Sequence, residues 1–260
     1  SRSSVSVALD DLVASGAPQV SAFLERWQDK GVWQRDADGV FFFGTETGDT
    51  LALRDIDSDA ESTAPASGFS QLKPNGGVRR LIGTALDLGV TPLAMLEVFL
   101  QAGLYGGFVT TEAAVEVARE VFTARGVSVP DTPPRDDTNE VLDARGQEIM
   151  AKLHGERASG GYAAPGNTIT GALYPAAIRY GYGEIWDRPG LTHRERMLVA
   201  IATFTGLPLE SQLRKFSQSA LNIGLSQEEV IEAVIQTGPY SGFPRALNGL
   251  AILTEVFPST

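Results

Sequence analysis

The side chains that usually carry nucleophilic, acid–base or metal chemistry are scarce in this sequence of 260 residues. It contains no cysteine and two histidines, His154 and His193. Without cysteine there is no thiolate nucleophile, no disulfide and no cysteine-ligated zinc or iron–sulfur cluster. Two histidines far apart in sequence make a histidine-rich metal site improbable. Any chemistry therefore has to come mainly from other polar groups.

The helices that must position such groups are clearest in the second half of the chain. Thr192, followed three residues later by Glu195, forms a capping box that predicts the start of a helix. The helix after it is predicted to end at Gly224. Ser226 and Glu229 form a second capping box for the helix that follows. Short loops between these helices predict an all-α arrangement of antiparallel helices.

The first half is predicted to be helical as well, with one interruption. Residues 39–55 contain two short apolar runs around a glycine-containing turn, which favours a small β-hairpin. The stretch 55–76 is rich in Asp, Ser, Pro and Gly and is typical of a loop. The glycine-rich loop 155–171 is either a pocket cover or a plain spacer. Helices are predicted at about 9–30, 76–88, 92–102, 110–125, 139–154 and 172–186.

An internal repeat relates the two halves of the sequence. With an offset of 135 residues, Ala85–Phe122 aligns with Ala220–Phe257 without a gap, and 12 of 38 positions are identical. The identical pairs include Glu97/Glu232, Gln101/Gln236 and Tyr105/Tyr240. A fixed offset over this length predicts the duplication and fusion of one helical unit.

Charge and hydropathy exclude two classes of partner. The formal net charge is −11, and phosphate binding needs a basic face, so we expect no nucleic-acid partner. No apolar run approaches the ~20 residues that a membrane-spanning helix needs, so we expect no membrane partner. The N-terminal segment lacks the apolar core of a signal peptide, so we expect a cytoplasmic location.

Several motifs in residues 184–257 resemble those of the carboxymuconolactone decarboxylase family, relatives of the alkylhydroperoxidase D-type proteins. The motifs that carry the resemblance, in chain order, are Glu184-Ile-Trp186, Arg188-Pro-Gly-Leu191, Gln212-Leu-Arg214, Ala220-Leu-Asn222, Gly224 and Tyr240-x-Gly-x-Pro-x-Ala-x-Asn248. The first half resembles the same domain less closely. We therefore predict a degenerate N-terminal repeat (1–126), a linker (127–138) and a C-terminal repeat (139–260).

The resemblance implies an all-helical domain that assembles into rings, often hexameric, with small-molecule pockets between packed helices. One branch of the family decarboxylates a carboxylated muconolactone without a cofactor, and another is a CxxC peroxidase. Family chemistry centres on a Glu in the helix after the RPGL turn and on a His nineteen positions later. A carboxylate and an imidazole on facing helices can exchange protons with a substrate.

This chain departs from the family at both of those positions. The Glu position falls on Met197 and the His position on Phe216, and the peroxidase cysteines fall on Leu209 and Gln212. Peroxidase activity by the family's route is therefore excluded, and the family's Glu/His route to decarboxylation lacks both of its groups. Either Met197 and Phe216 fill the former pocket as core residues, or they line a pocket for a more hydrophobic substrate.

The remaining candidate site residues follow from this register. Gln212 lies four residues before Phe216 and hence on the same helical face. Arg214 and Lys215 are either carboxylate ligands or solvent-facing charges, and His193 is interpreted as a surface residue. The predicted catalytic residues are Gln212 and Tyr240, the predicted substrate-binding residues are Trp186, Met197, Arg214, Phe216 and Asn248, and no metal ligand is predicted.

Two functional hypotheses follow from the resemblance. The first is an enzyme that acts without a cofactor on a small organic molecule, with carboxylated and polycyclic compounds as the candidate substrates, by decarboxylation, lactone isomerisation or a related lyase step. The second is a non-catalytic ligand-binding or structural protein of the same fold. A metal-dependent oxygenase is a distant third. If single-repeat relatives form hexameric rings, three double-repeat chains supply the same number of units, so we expect a homotrimer, with a dimer as the alternative.

Overall fold

Helices dominate the part of the chain that the computed structural model describes, which is residues 20–71, 76–132, 134–160, 167–171 and 173–257. The chain divides into two units, Ser1–Leu81 and Ile82–Thr260. The helices of the first sequence repeat that follow Leu81 therefore belong to the same unit as the second repeat. Of the helix predicted over 9–30, Val20–Gln28 is helical, and residues 9–19 lie outside the described part.

The first unit contains a five-stranded antiparallel sheet with the strand order β4-β3-β2-β1-β5. Helix α1 (Val20–Gln28) precedes it, and a 3₁₀ turn (Ala66–Gly68) separates its last two strands. Trp33, Phe42, Leu51 and Leu53 form its buried cluster. The strands are β1 (Val32–Arg35), β2 (Phe41–Thr47), β3 (Thr50–Asp55), β4 (Glu61–Pro65) and β5 (Phe69–Gln71).

This sheet corrects the all-α prediction. The predicted hairpin exists as β2 and β3, but it is part of a larger sheet, and the segment predicted as a loop supplies β4 and β5. The edge strand β4 has the sequence ESTAP and is largely exposed. Such an edge strand lacks the apolar alternation by which a half-buried strand is recognised in a sequence.

The second unit is built from helices joined mostly by short connections. The 3₁₀ helix Gly155–Ser159 opens the loop predicted over 155–171, of which residues 161–166 lie outside the described part. The helices are α2 (Gly76–Asp87, which begins before the unit boundary), α3 (Pro92–Gly106), α4 (Phe108–Ala124), α5 (Asn139–His154), α6 (Tyr174–Ala176), a π-helix (Ala177–Ile185), α7 (His193–Gly206), α8 (Glu210–Asn222), α9 (Gln227–Ile235), α10 (Gly238–Ser241) and α11 (Phe243–Val256).

Local hydrogen bonding fixes the helix starts that the sequence predicted. Both capping boxes are confirmed: Thr192 and Glu195 bond reciprocally at the start of α7, and Ser226 and Glu229 do the same at α9. Each box satisfies backbone N–H groups that the first turn of a helix leaves without partners. The core of this unit lies between α5, α7, α8, α9 and α11.

Helix boundaries in the second unit follow the sequence offset of 135 residues. Helix α2 corresponds to α8, α3 to α9 plus α10, and α4 to α11. The chain turns between the last two helices of each set at Gly107 and Gly242, with φ of +93° and +96°. This backbone conformation favours glycine because it has no Cβ. The recurrence of the boundaries supports the predicted duplication.

Candidate functional site

Met197 and Phe216, which the sequence resemblance predicts at the family's Glu and His positions, are both buried in the helical core. Met197 has no exposed surface and Phe216 is 6% exposed, and both belong to one cluster that includes residues of α7 and α8. The Phe216 ring is surrounded by other rings: its centroid lies 4.9 Å from those of His154 and Phe204, 6.1 Å from Tyr105 and 6.4 Å from Trp186. These two side chains therefore act as core residues.

The imidazole of His154 packs directly against Phe216, and sequence reasoning did not select it. His154 is the last residue of α5 and is 1% exposed. The end of α5 is held to α8 because the Asn222 side chain donates to the Leu153 carbonyl oxygen at 2.9 Å. Both ring nitrogens of His154 are hydrogen-bonded: Nδ1 to the Ser219 hydroxyl at 2.7 Å and Nε2 to the Tyr182 hydroxyl at 3.0 Å.

Counting protons assigns the tautomer of His154. The Ser219 hydroxyl donates its single proton to the Lys215 carbonyl oxygen at 3.0 Å, one helical turn earlier. Ser219 Oγ therefore has to accept from His154, so Nδ1 carries the imidazole proton. Nε2 is then an acceptor, and the Tyr182 hydroxyl donates to it. In this arrangement a neutral imidazole orients the Tyr182 hydroxyl towards Nε2.

Both groups keep these protonation states at neutral pH. Burial, with the nearby positive charges of Lys215 and Arg157, lowers the pKa of His154 from 6.5 to about 3. Burial raises the pKa of Tyr182 well above 10, and neighbouring phenols of Tyr105 and Tyr174 add to the shift. Tyr182 nevertheless retains some exposed surface, whereas His154 has almost none. Of the pair, Tyr182 is therefore the member with surface that a small molecule can contact.

The π-helix places Tyr182 opposite the end of α5. Two glycines permit the close approach of these elements: a Cβ on Gly146 would lie 2.5 Å from the Ile178 carbonyl oxygen, and one on Gly183 would overlap the Leu142 carbonyl oxygen. A π-helix has a wider turn than an α-helix and is often found at functional sites. The unusual helix and its two close contacts thus bring Tyr182 to His154.

Three side chains on one face of α3, Glu97, Gln101 and Tyr105, lie on the other side of the rings that surround Phe216. The Tyr105 hydroxyl accepts from Trp186 Nε1 and from the Gln101 amide, each at 3.2 Å. Trp186 is 1% exposed, and its ring stacks on Tyr182 with centroids 6.1 Å apart. Trp186, a predicted site residue, therefore lies beside Tyr182, and its indole is oriented by a helix from the first sequence repeat.

A buried ion pair between Glu97 and Arg196 lies at one end of this face of α3. Glu97 accepts from Arg196 at 2.9 Å and from Arg188 at 2.8 Å, and Arg196 also donates to Gln101 at 3.2 Å. The side chains of Glu97 and Arg196 are 1% and 0% exposed. A continuous polar chain thus runs from Glu97 to Trp186, and it joins α3 to the start of α7.

Two cations lie on the Nδ1 side of His154. Arg157, in the 3₁₀ helix after α5, donates through Nη2 to Ser219 Oγ at 3.0 Å and through Nη1 to the Gln218 side-chain oxygen. Lys215 lies one turn before Ser219 on α8 and is half-buried. Its pKa is lowered by burial and by the charge of Arg157.

The other predicted site residues are not gathered at this cluster. Tyr240 is 60% exposed and Asn248 is exposed. Gln212 is half-buried on α8, and Arg214 pairs with Glu255 at 2.8 Å on the surface. The polar groups that lie together are instead His154, Tyr182, Ser219 and Tyr105. The sequence signal for Tyr105 was its identity with Tyr240 in the repeat; for His154 it was only the scarcity of histidine.

Two general features of the described residues bear on the type of site. Among them, no group of three His, Asp or Glu side chains is arranged to hold a metal ion. None of the described helices has both the length and the apolar character required to span a bilayer.

Comparison with known proteins identifies the helical segment. Residues 171–255, about a third of the chain, match the model of the carboxymuconolactone decarboxylase family. This part of the chain is similar to that family. The matched residues include Tyr182, Trp186 and Ser219, whereas His154 and Arg157 precede them.

Two proteins named as decarboxylases are similar to this chain. It is 34% identical to the 4-carboxymuconolactone decarboxylase of Acinetobacter baylyi over 79 residues, which is 30% of this chain and 59% of that protein. It is 27% identical to the nitrosuccinic acid decarboxylase of Metarhizium robertsii over 73 residues, 28% of this chain and 51% of that protein. The chain thus spans little more than half the length of either relative.

Proposed function

We propose that this protein is a decarboxylase of a small carboxylic acid, with Tyr182 as the proton donor and His154 as the residue that positions it. Two relatives named as decarboxylases support the reaction class. The observation that carries the assignment of residues is the buried hydrogen bond between Tyr182 and a neutral His154 beside the family's own catalytic position, Phe216.

Decarboxylation needs little covalent help from a protein. The bond between the carboxylate carbon and its neighbour breaks, CO₂ leaves, and the electron pair passes into a conjugated group of the substrate. The product then takes up one proton. The phenol of Tyr182 is protonated at neutral pH and is the partly exposed member of the pair. To deliver its one proton, the hydroxyl turns from His154 Nε2 to the substrate carbon; the resulting phenolate takes a proton from water when the product leaves, and the bond to Nε2 forms again.

His154 acts through Tyr182 and not on the substrate. Its unprotonated Nε2 accepts from the hydroxyl and so restricts where the phenol oxygen lies, and Ser219 holds the tautomer in place. Fixing a donor in advance removes reorganisation from the reaction itself. Trp186 and Phe216 supply the apolar surroundings, in which a leaving carboxylate is poorly solvated. The scheme uses no cofactor.

A non-catalytic, ligand-binding role is the alternative, and one observation favours it. Met197 and Phe216 occupy the family's catalytic positions as tightly buried core residues. A protein that had lost its activity by drift would also fill its former pocket in this way. The two proposals differ in whether substrate is consumed.

The test is CO₂ release from a panel of small carboxylic acids that includes 4-carboxymuconolactone and nitrosuccinate. We expect turnover of at least one acid by the wild-type protein, and a loss of about 10²-fold or more in kcat for Tyr182→Phe. Tyr180→Phe is the matched control, because Tyr180 lies in the same π-helix but is 46% exposed. Equal activity of the two variants contradicts the assignment of Tyr182, and binding without turnover by the wild type favours the alternative.

A further inference from the structure

Among the described residues of this acidic chain, Arg157 and Lys215 are two neighbouring cations without a carboxylate partner. In the part of the chain that the structure describes, neither makes an ion pair, although many other arginines do, including Arg214 next to Lys215. Both are half-buried and both lie near His154. An unpaired cation is ordinary at a surface; two together beside a buried imidazole are not.

The two cations keep hydrogen-bond donors free for a ligand. A guanidinium has five N–H donors, and Arg157 directs two of its nitrogens to Gln218 and Ser219. The Lys215 ammonium has three donors, and none of them has an acceptor among the described residues. The bonds to Gln218 and Ser219 also hold the Arg157 guanidinium in one place.

Repulsion between these like charges is reduced when an anion binds between them. Holding two cations close together and partly out of water is unfavourable, and burial, followed by the charge of Arg157, lowers the pKa of Lys215. A bound oxyanion reverses the sign of this interaction. Cations held in advance where negative charge will develop are a general means of stabilising a transition state.

We infer that Arg157 and Lys215 form an oxyanion subsite that binds the substrate oxygen onto which electrons move during decarboxylation, and not the carboxylate that leaves. This inference rests on the proposed function for its role in turnover, but not for the binding of an oxyanion.

The distinction follows from the charge balance of the reaction. The leaving carboxylate is negative in the bound substrate and becomes neutral CO₂. Cations paired to it would stabilise the starting state more than the transition state and would slow the step. The electron pair of the broken bond instead passes to a conjugated oxygen of the substrate, which gains charge as the bond breaks. The substrate class is therefore an acid whose carboxylate-bearing carbon is conjugated to a carbonyl or similar oxygen acceptor.

The binding experiment uses oxalate, a small planar oxyanion, titrated by calorimetry into the wild-type protein and three variants. Lys215→Met and Arg157→Gln each remove one cation of the subsite. Arg214→Met is the matched control, because it makes the same change in net charge at the adjacent residue, where the cation pairs with Glu255.

We expect Lys215→Met and Arg157→Gln to weaken oxalate binding about tenfold, and Arg214→Met to change it less than about twofold. Equal weakening in all three variants would mean general charge attraction and would overturn the subsite, as would an absence of oxalate binding by the wild type. If Arg157→Gln fails to fold, as judged by circular dichroism, Lys215→Met alone tests the subsite. Its folding is not at risk in the same way, because the Lys215 side chain has no hydrogen-bond acceptor among the described residues.

The kinetic arm tests the role in turnover. With an acid that the wild type decarboxylates, Lys215→Met should lower kcat at least tenfold and leave KM within about twofold. A raised KM with unchanged kcat would overturn the assignment to the developing charge. If no acid is turned over but Lys215→Met still loses oxalate, the proposed function fails and the oxyanion subsite stands.

Discussion

The Tyr182 hydroxyl donates to Nε2 of His154 across 3.0 Å, joining the π-helix to the last residue of α5. These residues are 28 positions apart in sequence. Because Ser219 requires the proton on Nδ1, the bond has one direction. Because Tyr182 is the donor, His154 has to stay neutral for this bond to form.

Activity should be almost independent of pH around neutrality. The pKa of His154 is lowered to about 3 and that of Tyr182 is raised above 10, so neither group titrates between pH 6 and 9. A profile of kcat against pH with a suitable acid substrate should therefore show no loss on the acid side, between pH 8 and 6; a loss towards pH 9 would reflect Lys215, whose pKa is lowered by burial and by Arg157. A kcat that falls with an apparent pKa near 6.5 would mean that an ordinary histidine controls the reaction.

Stability should fall in acid because His154 is buried without its second proton. Its pKa is about 3 in the folded state and about 6.5 in the unfolded chain. Below pH 6.5 the unfolded chain takes up a proton that the folded state does not, so the free energy of unfolding declines by about 1.4 kcal/mol per pH unit.

Denaturant unfolding at pH 7.5, 6 and 4.5 measures this effect as the difference between wild type and His154→Gln. The variant should be less stable at pH 7.5, because two buried hydrogen bonds are perturbed. The gap should narrow as the pH falls. His193→Gln is the control, because that imidazole is only half-buried and so is less completely removed from water than His154. A gap that stays constant with pH would show that His154 titrates normally in the folded protein.

Glycine at position 183 should be required for packing of the π-helix on α5. A Cβ there would overlap the Leu142 carbonyl oxygen, which belongs to backbone and cannot move aside. Gly183→Ala should destabilise the protein by about 2–4 kcal/mol and should also lower kcat, because the same contact places Tyr182. Thermal unfolding and the CO₂ assay measure the two effects.

Gly181→Ala is the internal comparison for this prediction. Gly181 lies in the same π-helix, and a Cβ there meets nothing within 4 Å. It should be neutral or stabilising by up to about 1 kcal/mol, since alanine favours helix. Equal effects of the two substitutions would contradict the close approach of the π-helix and α5.

Removing the charge of Glu97 should be far more damaging than removing a surface charge. Glu97→Gln leaves Arg196, which has no exposed surface, without its carboxylate, and should cost about 3–5 kcal/mol in the free energy of unfolding. Asp87→Asn breaks a pair with Arg125 in which both side chains are well exposed, and should cost less than about 1 kcal/mol. Chemical denaturation of both variants measures the contrast; similar losses would mean that the Glu97 pair is solvated.

The helix starts were predictable because they depend on residues close together in sequence. The site was not, because it depends on packing between residues that are far apart in sequence. The capping boxes at Thr192 and Ser226 depend on residues three apart, which a sequence displays directly. Strand β4 was missed because an exposed edge strand has no apolar alternation.

Tyr105 and Tyr240 show the limit most clearly. They occupy the same position in the two repeats, yet the hydroxyl of Tyr105 bonds Trp186 while Tyr240 is 60% exposed. What differs is the neighbour against which each helix packs, and a repeat in sequence does not encode that. Tyr240 was predicted as a site residue from its position in a motif alone. The contact between His154 and Tyr182 depends on a π-helix that no sequence pattern predicted.

The most direct test of the account is ¹⁵N NMR of the His154 ring across pH 8 to 5, assigned with His154→Gln. The structure predicts one neutral tautomer throughout, with the proton on Nδ1 and an unprotonated Nε2 that accepts from Tyr182. Tyr182→Phe should shift the Nε2 resonance and leave Nδ1 protonated. An imidazole that becomes doubly protonated near pH 6.5, or a neutral ring with its proton on Nε2, would contradict it.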